Sequence, residues 1–353
     1  MASPPLRPNS PSQLREAMAR RLYRRTIATG QITLPAVPAM IDEYVSMCQK
    51  IFGDLGVQFS PPELAHLRTV LEGELADAYA ASPRSTIVVS YDYPVGTVLN
   101  YNVKAEWQTL ADTYESWAHT RQPPLFGTEP DARVWMLACE AADPRSCRVL
   151  DIGAGTGRNA LALARRGHPV DAVEMTPHFA ETIRAEAQRE GLDVRVIERD
   201  VFAATDDLRW DYQLIVLSEV VSDFRTARQL RSMFELTARC LAPGGCLVFN
   251  AFLARHGYTP DETARELGQQ CYSTMFTWYE MTNATALLPL NLIADDSVYE
   301  YESTHLPPGA WPPTYWYSDW VSGLDVFDVE REASPVEMRW LVYEKPGWDG
   351  RPA

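Results

Sequence analysis

Apolar positions along this chain fall into two rhythms. After Ser60-Pro61-Pro62 they recur three or four places apart, at Leu64, Leu67, Val70, Leu71 and Leu75. That spacing puts side chains on one face of a helix. Helices are expected over about 12–29, with Ser12 as cap, over 36–53, and onward from Ser60-Pro61-Pro62. Near residue 85 the pattern changes. Ser85–Tyr93 is β-branched and aromatic, Pro94-Val95-Gly96 supplies a turn, and 97–103 resumes the β-rich character, so a hairpin is expected. A helix carrying Trp107, Leu110, Tyr114 and Trp117 follows and ends at Pro123-Pro124.

From about residue 130 short apolar runs alternate with amphipathic stretches. Strands are expected at 147–152, 169–174, 193–197, 211–218 and 245–252. This alternation implies an α/β domain with a mostly parallel sheet and helices on both faces. Leu214-Ile215-Val216-Leu217 has the unbroken apolar character of a strand covered on both sides. A helix over 260–272 and an aromatic-rich insert over 274–320 break the rhythm, and 324–331 and 336–344 read as two closing strands. The chain divides into a loose tail (1–11), a mainly helical cap region with a hairpin (12–119), the α/β domain (120–345) and a second tail (346–353).

Composition narrows the function. A net charge of −15 over 353 residues repels phosphate backbones, so nucleic acid is not an expected partner. No apolar run reaches the roughly 18 residues of a membrane span. The N-terminal stretch lacks the apolar core of a signal peptide and reads, despite its arginines, as a solvated helix face. Six scattered cysteines without a Cys-x-x-Cys pair fit reduced thiols in a cytoplasmic protein. The six histidines show no metal-binding spacing, so no metal site is expected.

One segment carries recognisable chemistry. Arg148–Ile152 is a strand, Gly153-Ala154-Gly155-Thr156-Gly157 a loop, and Arg158 opens a helix. Glycines there permit a tight turn and close approach of a ligand to the backbone. The third glycine falls at 157; the later position that a dinucleotide fingerprint would require holds Arg158. Asp151, just before the loop, suits a cationic or hydroxylated ligand better than a pyrophosphate. Glu174 ends the next expected strand, Asp200 the one after, and Leu241-Ala-Pro-Gly244-Gly245 precedes another. Alone, each acid would be a helix cap or a turn residue.

Taken together, these motifs resemble the class I S-adenosylmethionine-dependent methyltransferase family, over about 120–345. The resemblance implies a Rossmann-like seven-stranded, mostly parallel sheet, with S-adenosyl-L-methionine as cofactor and S-adenosyl-L-homocysteine as product. It implies that Asp151, Gly153, Ala154, Gly155 and Gly157 hold the methionine moiety. Glu174, with Met175 beside it, would meet the ribose, Asp200 and Val201 the adenine, and Ser218 and Glu219 would lie near the transferring methyl. Glu219 and His256 are the candidates for a general base, should the acceptor carry a proton. Tyr101, Tyr114, Trp117, Trp278 and Tyr279 are candidate substrate contacts. The chain has Ser218-Glu219-Val220-Val221-Ser222-Asp223-Phe224 where nucleic-acid amino-methylating enzymes carry Asn/Asp-Pro-Pro-Tyr/Phe, and no Lys-Asp-Lys-Glu arrangement for ribose methylation is apparent. A small-molecule acceptor is therefore expected. Protein methylation, a non-methylating reaction on the same cofactor fold, and a non-catalytic binding module remain the alternatives. The N-terminal region could close over substrate or mediate homodimerisation.

Overall fold

A computed structural model describes residues 11–23, 25–94 and 98–347. The chain forms two compact units, Met1–Thr109 and Leu110–Ala353. The first contains α1 (Pro11–Tyr23), β1 (Ile27–Pro35), α2 (Ile41–Asp54), α3 (Pro61–Ala81), β2 (Thr86–Pro94) and β3 (Asn100–Glu106). The three strands pair antiparallel in the order β1-β2-β3. Phe52, Leu67, Leu71 and Leu75 from the helices meet Ile32, Leu34, Ile87 and Val89 from the sheet in one buried core. The hairpin β2–β3 lies where the sequence places it, although Val95 and Gly96 of the expected turn fall outside the described residues, as do nearly all of the expected N-terminal tail and 348–353.

The expected first helix runs too far. It ends at Tyr23, and Ile27–Pro35 is a strand. Burial there alternates toward its end, with Ile32 and Leu34 inward and Gln31 and Thr33 outward, and a β-branched segment with period two pairs with β2. The division between units also falls before α4 (Leu110–Thr120), so the helix carrying Tyr114 and Trp117 belongs to the second unit.

That unit continues with α5 (Ala132–Cys139), β4 (Val149–Ile152), α6 (Arg158–Arg166), β5 (Val170–Glu174), α7 (Pro177–Glu190), β6 (Val194–Glu198), β7 (Tyr212–Leu217), α8 (Ala227–Cys240) and β8 (Leu241–Ala254). It closes with α9 (Glu262–Gln270), β9 (Met275–Phe276), α10 (Trp278–Thr285), β10 (Asn291–Ser297), α11 (Val298–His305), α12 (Tyr317–Val321) and β11 (Val336–Glu344). The main sheet runs β10-β11-β8-β7-β4-β5-β6, with the short β9 paired to β8. Strands β4 to β8 are parallel to one another; β10 and β11 are antiparallel to their neighbours.

The pleat sorts β4 between two cores. Leu150 and Ile152 join α8 residues such as Leu230 and Phe234 on one face, while Val149 joins Leu163 of α6 and Ile183 of α7 on the other. Each fully buried aliphatic side chain contributes roughly 1.5–3 kcal/mol.

One closing strand is not where the sequence suggests. Residues 324–331 form no strand. Gly323, at φ +77°, starts a turn in which its carbonyl accepts from the N–H groups of Val326 and Phe327. The edge position is taken by β10, from within the expected aromatic insert. Within the insert, Trp316, Tyr317 and Trp320 lie against one another, and Trp320 packs on Phe252 of β8.

Candidate cofactor and active site

The parallel strands all end at one sheet edge, and the chain order reverses between β4 and β7. A crevice at the carboxyl ends of the strands opens at such a switch point. The loop after β4 turns there through Gly153, Gly155 and Gly157, with φ of 69°, 56° and 89°. A Cβ on Gly153 would lie 2.4 Å from Val220 Cγ2, and one on Gly157 2.8 Å from Leu161 Cδ1. Side chains are thus excluded on conformational and steric grounds. The N–H groups of Gly153 and Ala154 donate to the Val173 carbonyl at 2.8 and 3.1 Å, tying the loop to β5.

Glu174, at the end of β5, is buried. Its Oε2 accepts from Gly155 N–H at 2.8 Å and its Oε1 from Thr176 N–H at 2.7 Å. Burial raises its pKa, opposed by those backbone donors. The backbone thus fixes the rotamer of a carboxylate whose oxygens can each accept more than one hydrogen bond. Met175, next in the chain, is half-buried. After β6, Asp200 is exposed and its Oδ1 accepts from Phe202 N–H at 2.7 Å, which shapes the turn holding Val201.

The centre of the site is a buried charge cluster. Asp151 on β4 is 2 % exposed, and its Oδ2 has no hydrogen-bond partner among the described residues. Arg158, the first residue of α6, lies behind it. Its guanidinium pairs with Asp131 Oδ1 at 2.5 Å and with Glu219 Oε1 at 2.7 Å, and approaches Ser218 Oγ at 3.5 Å. Asn159 Nδ2 adds a second donor to Asp131 at 2.8 Å. Glu302 on α11, 1 % exposed, accepts from Ala132 N–H at 2.8 Å and Trp340 Nε1 at 2.9 Å. The buried Tyr317 hydroxyl has no partner among the described residues.

Negative charge therefore exceeds positive in a dry volume, and protons are held where they would ordinarily be lost. Burial pushes Asp151 up to about 7, helped by Asp131 and opposed by Arg158. Burial likewise takes Glu219 to about 7 against the pull of Arg158, and Glu302 to about 7 with Asp131 adding to the effect. Tyr317 is raised well above its usual value by burial and then by Glu219, Asp131 and Glu302.

Glu219 follows β7 in an unusual backbone conformation, φ 61°, rarely adopted by residues with a side chain. Its N–H donates to Asn250 Oδ1 at 2.7 Å, and its carbonyl accepts from Ser222 Oγ at 3.0 Å. Such strain persists only where the surroundings hold it, and it gathers at functional sites.

Aromatic residues border the glycine loop. The Phe126 ring lies 3.5 Å from the position a Cβ on Gly155 would take. It packs edge-on to Phe179 at 5.7 Å and to Tyr114 at 6.4 Å. Tyr114 donates its hydroxyl to Asp223 Oδ2 at 2.7 Å, and Trp117 lies 5.1 Å from Tyr272.

Residues 149–245 match a family model described as a methyltransferase domain. The matched segment runs from β4 into β8 and includes the glycine loop, Glu174, Asp200 and Glu219. Two curated relatives match short stretches. Hemagglutinin 1 of Eikenella corrodens is 33 % identical over 99 residues, 28 % of this chain and 32 % of that protein. Magnesium-protoporphyrin O-methyltransferase of Rhodobacter capsulatus is 36 % identical over 75 residues, 21 % of this chain and 33 % of that protein. The chain thus spans about a third of the length of each. Among solved structures, geranyl diphosphate C-methyltransferase from Streptomyces coelicolor is similar at a TM-score of 0.48 and 11 % identity, covering 67 % of this chain and 97 % of that one.

Within the second unit, the structure brings Asp151, the glycine loop, Glu174, Ser218 and Glu219 to one sheet edge, with Met175, Asp200 and Val201 following the strands of that edge. His256 is not brought there. It is exposed and lies beyond β8, which runs on past Asn250 for roughly 13 Å at the usual strand rise. With Trp278 it lines a separate depression that includes Asp295, Glu337 and Arg339. Tyr279 is 76 % exposed on α10. Tyr101 belongs to the first unit's own packing, with Phe52 and Phe59 each 6.2 Å away. The sequence reading missed Asp131, Asn250, Glu302 and Tyr317. Arg158 has no role in that reading beyond opening the helix, although a charged residue at the start of an Ala- and Leu-rich helix beside the loop is itself the available signal.

Proposed function

We propose that this protein is an enzyme that uses S-adenosyl-L-methionine to methylate a small-molecule acceptor. The observation that carries the reading is Asp151, buried with an unpaired carboxylate oxygen in a cluster richer in carboxylates than in cations. An unpaired buried acceptor is costly unless a ligand supplies a donor. A ligand bearing an ammonium and a sulfonium answers both that oxygen and the surplus charge. The hydroxylated part of such a ligand fits Glu174, and the turn at Asp200 and Val201 would take the base.

When bound, the cofactor supplies an electrophilic methyl group on sulfur and leaves as S-adenosyl-L-homocysteine. The protein's part is to align the acceptor and exclude water. Glu219 is the candidate to hold or accept a proton, since burial raises its pKa against the pull of Arg158. Tyr114, Trp117 and Phe126 would form an apolar wall for the acceptor. The acidic net charge and the Ser218–Phe224 sequence support a small molecule over a nucleic acid. A cytoplasmic location fits six cysteines scattered along the sequence without a Cys-x-x-Cys pair. No helix among the described residues is long and apolar enough to cross a membrane. Exposed Leu14, Met18 and Leu22, one helical turn apart along α1, support homodimerisation through the N-terminal unit, which light scattering tests.

Incubation with cofactor labelled at the methyl carbon, over fractionated small metabolites, tests the function. Label is expected in a low-molecular-weight product and lost in Glu219→Gln. Label found in protein, or in a cyclised or cofactor-derived product, would replace this reading.

A further inference from the structure

The histidines that are scattered in sequence are not all scattered in space. Glu115 and His119 are four residues apart on α4, which places both side chains on one helix face. His178 sits in the first turn of α7, against which α4 packs. One ligand atom from each of Glu115, His119 and His178 lies within 4.8 Å of the other two. The glycine-loop site uses none of them.

We propose that Glu115, His119 and His178 bind a divalent transition-metal ion, Zn²⁺ being the natural choice, and that the ion fastens α4 to α7. Two imidazoles and a carboxylate are ligands that such ions favour, with water completing a tetrahedron. Bonds of about 2.0–2.1 Å space tetrahedral ligands by about 3.3 Å. His119 Nε2 and Glu115 Oε1 already stand 3.2 Å apart. The His119 and His178 rings are 5.3 Å apart between centroids, so a small side-chain rotation closes the third ligand. Glu115 uses its other oxygen, Oε2, to accept from His178 N–H at 3.4 Å. That bond already aims the carboxylate at the start of α7, and it screens the partial positive charge which this helix end would turn on a cation. The side chains of His119 and Glu115 are 63 % and 38 % exposed, so an ion can enter from solvent.

The clip would act on the wall proposed for the acceptor. Tyr114 and Trp117 share α4 with the two ligands, and Tyr114 reaches Asp223 after β7. Fixing α4 to α7 therefore limits how far that wall can open.

The test is calorimetric titration of the chelator-treated full chain with ZnCl₂, beside His178→Ala and His119→Ala. One equivalent should bind saturably to the unaltered protein. Each variant should bind about tenfold more weakly or worse, since even the partners of metal ligands are worth 10–100-fold. Added Zn²⁺ should slow hydrogen exchange of the α4 amides in the unaltered protein and not in the variants. Substituted Co²⁺ should show no thiolate-to-metal charge-transfer band, which separates this site from the cysteines. No saturable binding to folded protein, binding unaffected by both substitutions, or a thiolate band would each overturn the proposal.

Discussion

Helix α6 carries an ion-paired arginine at each end, and the two could hardly be placed more differently. Arg158 opens the helix, 8 % exposed, facing Asp131 and Glu219. Arg165, in its last turn, is 48 % exposed and bonded to Glu190 at 2.7 and 2.8 Å. The helix field welcomes a cation at the C-terminus and opposes one at the N-terminus. Arg158 thus stands at the unfavourable end, out of water, held by carboxylates that themselves resist burial. Its pKa is raised because Asp131 and Glu219 outweigh the effect of burial. A residue kept under those terms serves the site beside it. Arg165 sits where helix stability alone would put it, and solvent makes its pair worth little.

Breaking the two pairs should give unequal losses. Arg158→Met leaves Asp131 and Glu219 buried without a cation, and a cost of about 3–5 kcal/mol is expected. Urea unfolding reads it directly. A loss below 1 kcal/mol would mean that the cluster relaxes into water. Glu174→Ala removes the acceptor for Gly155 and Thr176 N–H, and should weaken cofactor binding by roughly 1–3 kcal/mol in a folded protein. Unchanged affinity would remove Glu174 from the site.

The surplus of buried carboxylates has its own pH signature. Asp151, Glu219 and Glu302 each have a folded pKa near 7, above their unfolded values. Between about pH 4 and pH 7 the folded state binds more protons than the unfolded chain, so stability falls as pH rises through that window. Each group contributes at most about 1.4 kcal/mol per pH unit. Asp171, whose pKa is lowered by Arg195 and Tyr212 against burial, acts in the opposite sense and only below the window. Unfolding of ligand-free protein at pH 5, 6 and 7 should show declining stability, less steep in Asp151→Asn. Stability that climbs across that range would contradict the cluster's electrostatics. Smallest of all, Arg165→Ala should cost less than about 1 kcal/mol and leave cofactor affinity unchanged; a larger loss would erase the contrast between the helix ends.

The same contrast explains what could be read from the sequence. The strand, glycine loop and helix opening are contiguous, and their periodicity and turn chemistry are local, so the fold from β4 to β8 was legible. The charge cluster was not. Asp131, Arg158, Glu219, Glu302 and Tyr317 come from separate elements, and only tertiary packing reveals that they share one dry volume. The closing strands failed for a local reason. Leu324-Asp-Val-Phe-Asp-Val329 has the β-branched and aromatic content of a strand, but Gly323 starts a turn there. Strand β10 carries Asp295, Asp296 and Ser297 at a sheet edge, where no apolar pattern is required. The overrun of α1 has a related cause. That helix buries no residue, so nothing in its pattern marked where it stops.

The most direct test of the cofactor reading is calorimetric titration of the unaltered protein and of Asp151→Asn with S-adenosyl-L-homocysteine, with NAD as control. The account predicts micromolar binding to the unaltered protein, about tenfold or weaker binding to the variant (1.4 kcal/mol or more), and none of NAD. Equal affinity for both proteins, or binding of NAD in place of S-adenosyl-L-homocysteine, would contradict it.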